Sequence, residues 1–163
     1  MKNVLLCIFL SISIHSLAQN RAVTEFRETH EAALSLYFYP STLRMINLER
    51  NMEFDEMIRD IKKARFFKMD SGAVHNEDIL KLDNRLRDEG FEEVMFMKSK
   101  DMDLKVWGVG KRNPVLIIIS KSDADVMLLE VNGMINIAKI PKLTESFNQN
   151  SFLDVLNLYE KKN

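Results

Sequence analysis

The sequence predicts an α+β fold, a two-layer sandwich in which a mainly antiparallel sheet of five or six strands carries helices packed on it. Three observations lead there. Residues 91–136 hold four apolar, β-branched or aromatic runs, at 94–97, 106–109, 115–119 and 126–131, divided by short polar segments in the manner of consecutive antiparallel strands. Residues 76–90 carry a full set of helix start, stripe and stop signals. The 163 residues, ordinary in apolar and charged content, have room for one core and not for two.

The chain opens on a segment with its own logic. Lys2 supplies a positive start, residues 4–14 are apolar, and Ser16-Leu17-Ala18 puts small side chains third and first before a cut. Residues 1–18 therefore read as a secretory signal peptide cleaved between Ala18 and Gln19, with 19–145 forming a single α+β domain and 146–163 a C-terminal helical tail. The apolar run is shorter than the roughly 20 residues a membrane-spanning helix needs. Cys7 lies inside it behind Leu5 and Leu6, where lipid attachment wants small residues, so it reads as an apolar leader residue. The processed chain then has no cysteine, which excludes disulfides, thiolate catalysis and cysteine metal sites. Loss of Lys2 takes the formal charge from −1 to −2, with no basic excess to attract nucleic acid.

In chain order, Thr24 is placed to cap a short helix in which Val23, Phe26 and His30 share a face. Residues 33–39 (ALSLYFY) read as an aromatic strand ended by Pro40. Helices are predicted over 41–49 and 51–63, the second with Asn51 as N-cap and Phe54, Met57, Ile58 and Ile61 at i, i+3, i+4 and i+7. Residues 65–70 read as a second strand, and Ser71-Gly72 as a turn. In the next helix Asn76 is the expected cap, Glu77 and Asp78 fill the first turn, and Ile79, Leu82 and Leu86 form the buried stripe. Arg85 and Arg87 lie near its end and Gly90 at C′, so the charges oppose the helix dipole.

The meander follows, with polar tips at 100–103, 111–114 and 121–125. Residues 115–119 lack alternation, which predicts a central strand covered on both faces. Asn132-Gly133 turns the chain out of the sheet, and Asn136 is placed to cap what comes next. A helix starting near Pro141 and an amphipathic one over 151–161, with Phe152, Leu156 and Tyr159 on one face, complete the reading.

This order resembles the domain of unknown function 4252 family. The likeness rests on the leader ending Ala18-Gln19, the aromatic strand near 36–39, and Gly90-Phe91-Glu92-Glu93-Val94-Met95. It continues through the strand at 104–111 and the closing pattern at 126–137, and covers roughly residues 23–145. Asn136 stands where the family more often has Asp. The resemblance implies an α+β fold and an envelope location in a Gram-negative bacterium; it brings no catalytic residue.

Chemistry is thinly signalled. His30 and His75 stand at no metal-ligand spacing, and no GxSxG element is present. Gly108-Val109-Gly110-Lys111 imitates the end of a phosphate loop, yet Lys105 replaces the first glycine and Arg112 the magnesium-holding hydroxyl, so the glycines read as a bend or close strand packing. Asp101 and Asp103, with Asp123 and Asp125, are turn acids short of a calcium loop. Glu92 and Glu93 are adjacent, so on a strand they point to opposite faces and cannot form an acid and base pair. No cofactor and no metal are expected.

The leading expectation is a non-enzymatic envelope protein, periplasmic or secreted, that binds another macromolecule, an envelope protein, through a sheet face or edge. Met95, Met97 and Trp107 are the candidate partner-binding surface, with ordinary core packing as the competing account. The alternative is a small-molecule or lipid-binding module with an apolar pocket between sheet and helices. A hydrolase with a dispersed site would instead need a cleft of converging polar groups around a perturbed carboxylate or histidine.

Overall fold

The computed structural model describes residues 21–46, 52–111 and 114–135. Its elements run α1 (Arg21–Thr29), β1 (Leu34–Phe38), α2 (Pro40–Ile46), α3 (Met52–Ile58), β2 (Ile61–Asp70), α4 (Asn76–Asp88), β3 (Glu92–Lys98), β4 (Met102–Val109), β5 (Val115–Ser122) and β6 (Asp125–Gly133). The six strands form one sheet in the order β1-β2-β6-β5-β4-β3, antiparallel at every step. This is the α+β architecture expected.

The order follows from two kinds of connection. Strands β3 to β6 are joined by short turns and so lie side by side as a meander. Strand β2 cannot join that series directly, because α4 follows it and carries the chain across the sheet to the far edge, where β3 begins. The meander then works back until β6 meets β2, from Ile61 opposite Gly133 to Asp70 opposite Asp125. The two edges are therefore β1 and β3.

Both faces of the sheet are apolar. On the first, Phe67, Met69, Trp107, Ile117, Ile119, Val126 and Leu128 meet Val23 and Phe26 of α1 and Ile79, Leu82 and Leu86 of α4. On the second, Ala64, Phe66, Leu104, Val106, Leu116, Ile118, Leu129 and Val131 form a continuous cluster with Phe38, Leu43 of α2 and Ile58 of α3. Strand β5 serves both faces, and its residues from Val115 to Ser120 are all buried, as its unbroken apolar run predicts. Each such side chain removed from water contributes about 1.5–3 kcal/mol before entropy is charged against it.

Helix α4 shows how local signals and packing agree. Gly90, at φ 85°, donates its N–H to Arg87 O, and Phe91 donates to Leu86 O, both at 2.9 Å. These two bonds and the joint burial of Phe91 and Leu86 make a complete Schellman stop. The start differs from expectation. His75, not Asn76, is the N-cap; its N–H donates to Asp78 Oδ2 at 3.1 Å, and Asn76 Oδ1 is drawn instead to Lys121 Nζ at 2.6 Å.

Two other boundaries move. Thr24 lies inside α1 and does not cap it, because the Arg21–Glu25 pair extends the helix and the Ala22 N–H is met by Glu89 Oε1 at 2.7 Å. Ile61 opens β2 and does not end a helical stripe; α3 stops at Ile58, and the strand runs ten residues where the sequence suggested six. Ile61 continues the helical spacing of Phe54 and Ile58 by coincidence, while its pairing with Gly133 and its burial place it in the sheet. The signal peptide, the caps at Asn51 and Asn136, the helices from Pro141 and Ser151, and part of the 111–114 tip lie outside the described residues.

Candidate functional site

Strand β3 is the part of the fold that topology leaves most available. Among the described residues it pairs with β4 alone, so its outer row of N–H and C=O groups faces away from the sheet. Its residues are mostly exposed, and two of them are large and apolar: Val94 at 45% and Phe96 at 50%. The register slips between Glu93 and Met95, which marks Val94 as a bulge. Val94 lies over Gly108, where an added Cβ would sit 3.3 Å from Val94 Cγ1 and 3.1 Å from Leu116 Cδ2, so the glycine marks close strand packing.

The bulge decides which way each side chain points. Met95 opposes Val106 and Met97 opposes Leu104, so both methionines are half-buried on the second face. Phe96 opposes Lys105 and stands on the first face, its ring 5.9 Å from the Lys105 ammonium. Trp107 is also on the first face, only 1% exposed beneath α4, with the Arg87 guanidinium 5.1 Å from its ring centre. The structure thus brings Met95 and Met97 together and separates Trp107 from them by the thickness of the sheet. The exposed apolar pair at the edge, Val94 and Phe96, is what the sequence reading passed over: nothing local distinguishes an edge strand from an inner one.

The first face also holds two partly buried ion pairs. Lys105 donates to Asp83 of α4, whose carboxylate is 3% exposed, and Arg65 of β2 donates to Glu130 of β6, 1% exposed. Asn132 Nδ2 adds a bond to Glu130 Oε1 at 3.3 Å. Each pair joins two separate elements, so the charges fix how α4 sits on β4 and how β2 sits on β6.

Between α1 and α4 runs a cleft of about 510 Å³, lined by Glu25, Glu28, Thr29, His30, Asp78, Lys81 and Arg85 among others. Its lining mixes these charged and polar groups with apolar Ala22, Phe26 and Leu82, and it lies on the seam of the two helices. Here His30 Nε2 is 3.4 Å from Asp78 Oδ2, and Thr29 Oγ1 is 3.1 Å from His30 Nδ1. The resemblance to a hydroxyl, imidazole and carboxylate relay is superficial. His30 Nδ1 is 2.9 Å from Phe26 O, so this edge of the ring is turned to the carbonyl of its own helix and is not set aside for Thr29. The Thr29 hydroxyl is itself 2.9 Å from Phe26 O and 3.1 Å from Glu25 O, the back-bonding usual for a helical threonine. The Asp78 carboxyl is held below its ordinary range, first by the His75 backbone N–H and then by Lys81 and His30, against a smaller opposing effect of burial. These contacts finish helix ends.

Among the described residues no three His, Cys, Asp or Glu side chains gather as a metal ion requires. Asp103 is 3.4 Å from Lys98 Nζ and Asp125 is 2.9 Å from Lys68 Nζ, so one acid at each hairpin tip is matched by a lysine. No helix among these residues is long and apolar enough to cross a membrane.

Comparison with known proteins adds one relationship. No curated protein matches the chain. A family model described as a domain of unknown function matches residues 26–143, which takes in every strand of the sheet and α4. A match over that much of the chain, enclosing the whole sheet, means that the chain belongs to the domain of unknown function 4252 family.

Proposed function

We propose that this protein is a non-enzymatic interaction module of the bacterial envelope, exported through the leader cleaved after Ala18, which docks an extended protein segment along β3. The observation that carries the reading is the β3 edge, a seven-residue strand whose alternate backbone groups face away from β4 and which carries half-exposed Val94 and Phe96. Main-chain hydrogen bonds along such an edge provide affinity, and side chains alternating above and below it provide selectivity. Strand β1 is a poorer candidate: it has five residues, and its exposed aromatic, Tyr37, already accepts a hydrogen bond from Arg27. A ligand-binding reading would draw support from an apolar pocket between sheet and helices, whereas the helix-seam cleft lies between α1 and α4, with Glu25, Glu28, Asp78, Lys81 and Arg85 beside apolar Ala22, Phe26 and Leu82.

The test compares two forms of the chain from Gln19 onward, wild type and Val94→Lys/Phe96→Lys, as baits in cross-linked envelope extract. A partner identified by mass spectrometry that the wild type retains and the variant loses supports docking at β3. Equal retention of that partner by both, or no partner at all, would sink it.

A further inference from the structure

We infer that the segment β3 accepts is β3 of a second copy, so that two chains pair edge to edge, antiparallel, about a two-fold axis at Phe96; this rests on the reading of β3 as a docking edge. The strand is charge-asymmetric along its length. Glu92 and Glu93 stand at one end, Lys98 and then Lys100 at the other, and all four are exposed. An antiparallel copy sets acids against lysines at both ends, while a parallel copy would set like against like. The strand is thus complementary to itself in one orientation only, the condition an isologous two-fold contact requires.

The bulge selects the register. With the axis at Phe96, that residue faces its own counterpart on the first face, and Met95 faces the partner's Met97 on the second, twice over by symmetry. Glu92 and Glu93 then fall against the partner's segment from Lys98 to Lys100. An axis at Met95 would set Val94, turned over Gly108 on the second face, against Phe96 on the first, a mismatch of faces right beside the axis; with the axis at Phe96 the same mismatch falls farther out, at Val94 against the partner's Lys98. Pairing at Phe96 joins the two sheets into one continuous sheet and covers the edge of β3 that no other strand among the described residues pairs.

Sedimentation velocity over a wide concentration range, on the chain from Gln19 onward, tests this directly. The expected result is a reversible dimer whose dissociation constant rises at least about tenfold on charge reversal at one end, either Glu92→Lys/Glu93→Lys or Lys98→Glu/Lys100→Glu. Mixing the two reversed variants should restore assembly, because each supplies the charges the other lacks; misfolding of either could not produce that rescue. Phe96→Cys, the sole cysteine in a chain that begins at Gln19, should form a disulfide-linked dimer under mild oxidation, and Leu80→Cys, exposed on α4, should not. A chain that stays monomeric at every concentration overturns the second-copy proposal. If that monomer still loses another captured protein on Val94→Lys/Phe96→Lys, docking at β3 stands and only the identity of the partner falls. A dimer indifferent to both charge reversals and to Val94→Lys/Phe96→Lys, with capture unchanged as well, overturns both.

Discussion

Arg65 Nε donates to Glu130 Oε2 at 2.8 Å between two residues that stand directly opposite each other on β2 and β6. The pair sits where the strand that precedes α4 meets the strand that closes the meander, the one junction in the sheet made by neither a hairpin nor a neighbour in sequence. Arg65→Met leaves a carboxylate that is 1% exposed without its opposing guanidinium. The expected loss is about 3 kcal/mol or more in urea unfolding. Arg65→Met/Glu130→Leu should lose less than Arg65→Met alone, because the stranded charge goes too; a larger loss in the double variant would contradict the account.

Gly133 offers a test of backbone geometry. Its φ is 129°, and a Cβ there would collide with the Asp60 carbonyl oxygen, just where β6 passes the start of β2. Gly133→Ala is expected to cost about 2–3 kcal/mol or more by thermal or urea denaturation, since backbone must move. Gly90→Ala provides the comparison: its φ is also positive, but a Cβ there meets nothing within 4 Å, so the loss should be smaller. Equal losses would mean that the collision carries no weight.

The capping of α4 by Asp78 predicts a pH dependence. Its folded carboxyl lies below the ordinary value of 3.8, chiefly because the His75 N–H favours the charged form. Between the two values the unfolded chain binds more protons than the folded one, so stability rises with pH there. The contribution is complete above the ordinary value and is lost as pH falls through the lowered one. Asp78→Asn should therefore be less stable than wild type near neutrality, with the gap closing below about pH 4. Denaturant midpoints measured across that range check it, and a gap independent of pH would refute it.

Trp107 is the single tryptophan and is packed beneath α4. Its fluorescence should be blue-shifted and shielded from acrylamide in the folded chain, and should red-shift in a single transition with unfolding. Trp107→Ala is expected to cost about 3–5 kcal/mol. Trp107→Phe should weaken the fold modestly and leave assembly through β3 unchanged, because Trp107 is on β4, buried beneath α4, and presents nothing to the outer side of β3. A loss of assembly in Trp107→Phe with the fold intact would place the tryptophan in the docking surface after all.

Local chemistry was legible wherever neighbours in sequence are neighbours in space. The four meander strands could be read from alternating apolar runs and polar tips, and α4 from its acidic start, its Ile79, Leu82 and Leu86 stripe and its Gly90 stop. The errors have one cause. Ile61 keeps helical spacing with Phe54 and Ile58, but its partner is Gly133, seventy-two positions away, and no periodicity within the segment records that. Thr24 is a competent cap by type, yet the Arg21–Glu25 pair and the Glu89 carboxylate, a residue of another element, carry the helix past it. Met95, Met97 and Trp107 looked like one apolar group because a regular hairpin would leave their relation open; the bulge at Val94 and the burial of α4 against the sheet put them on opposite faces.

By itself, then, the order of amino acids determined the class of fold, the central place of β5 and the family, all of which depend on patterns within a few residues of each other. Tertiary structure alone decided that β2 lies beside β6, and with it that β3 is an edge. Edge status is a property of what is missing from one side of a strand. It arises because α4 must cross the sheet before the meander can begin, and that geometry leaves β3, among the described residues, with β4 on one side and no strand on the other.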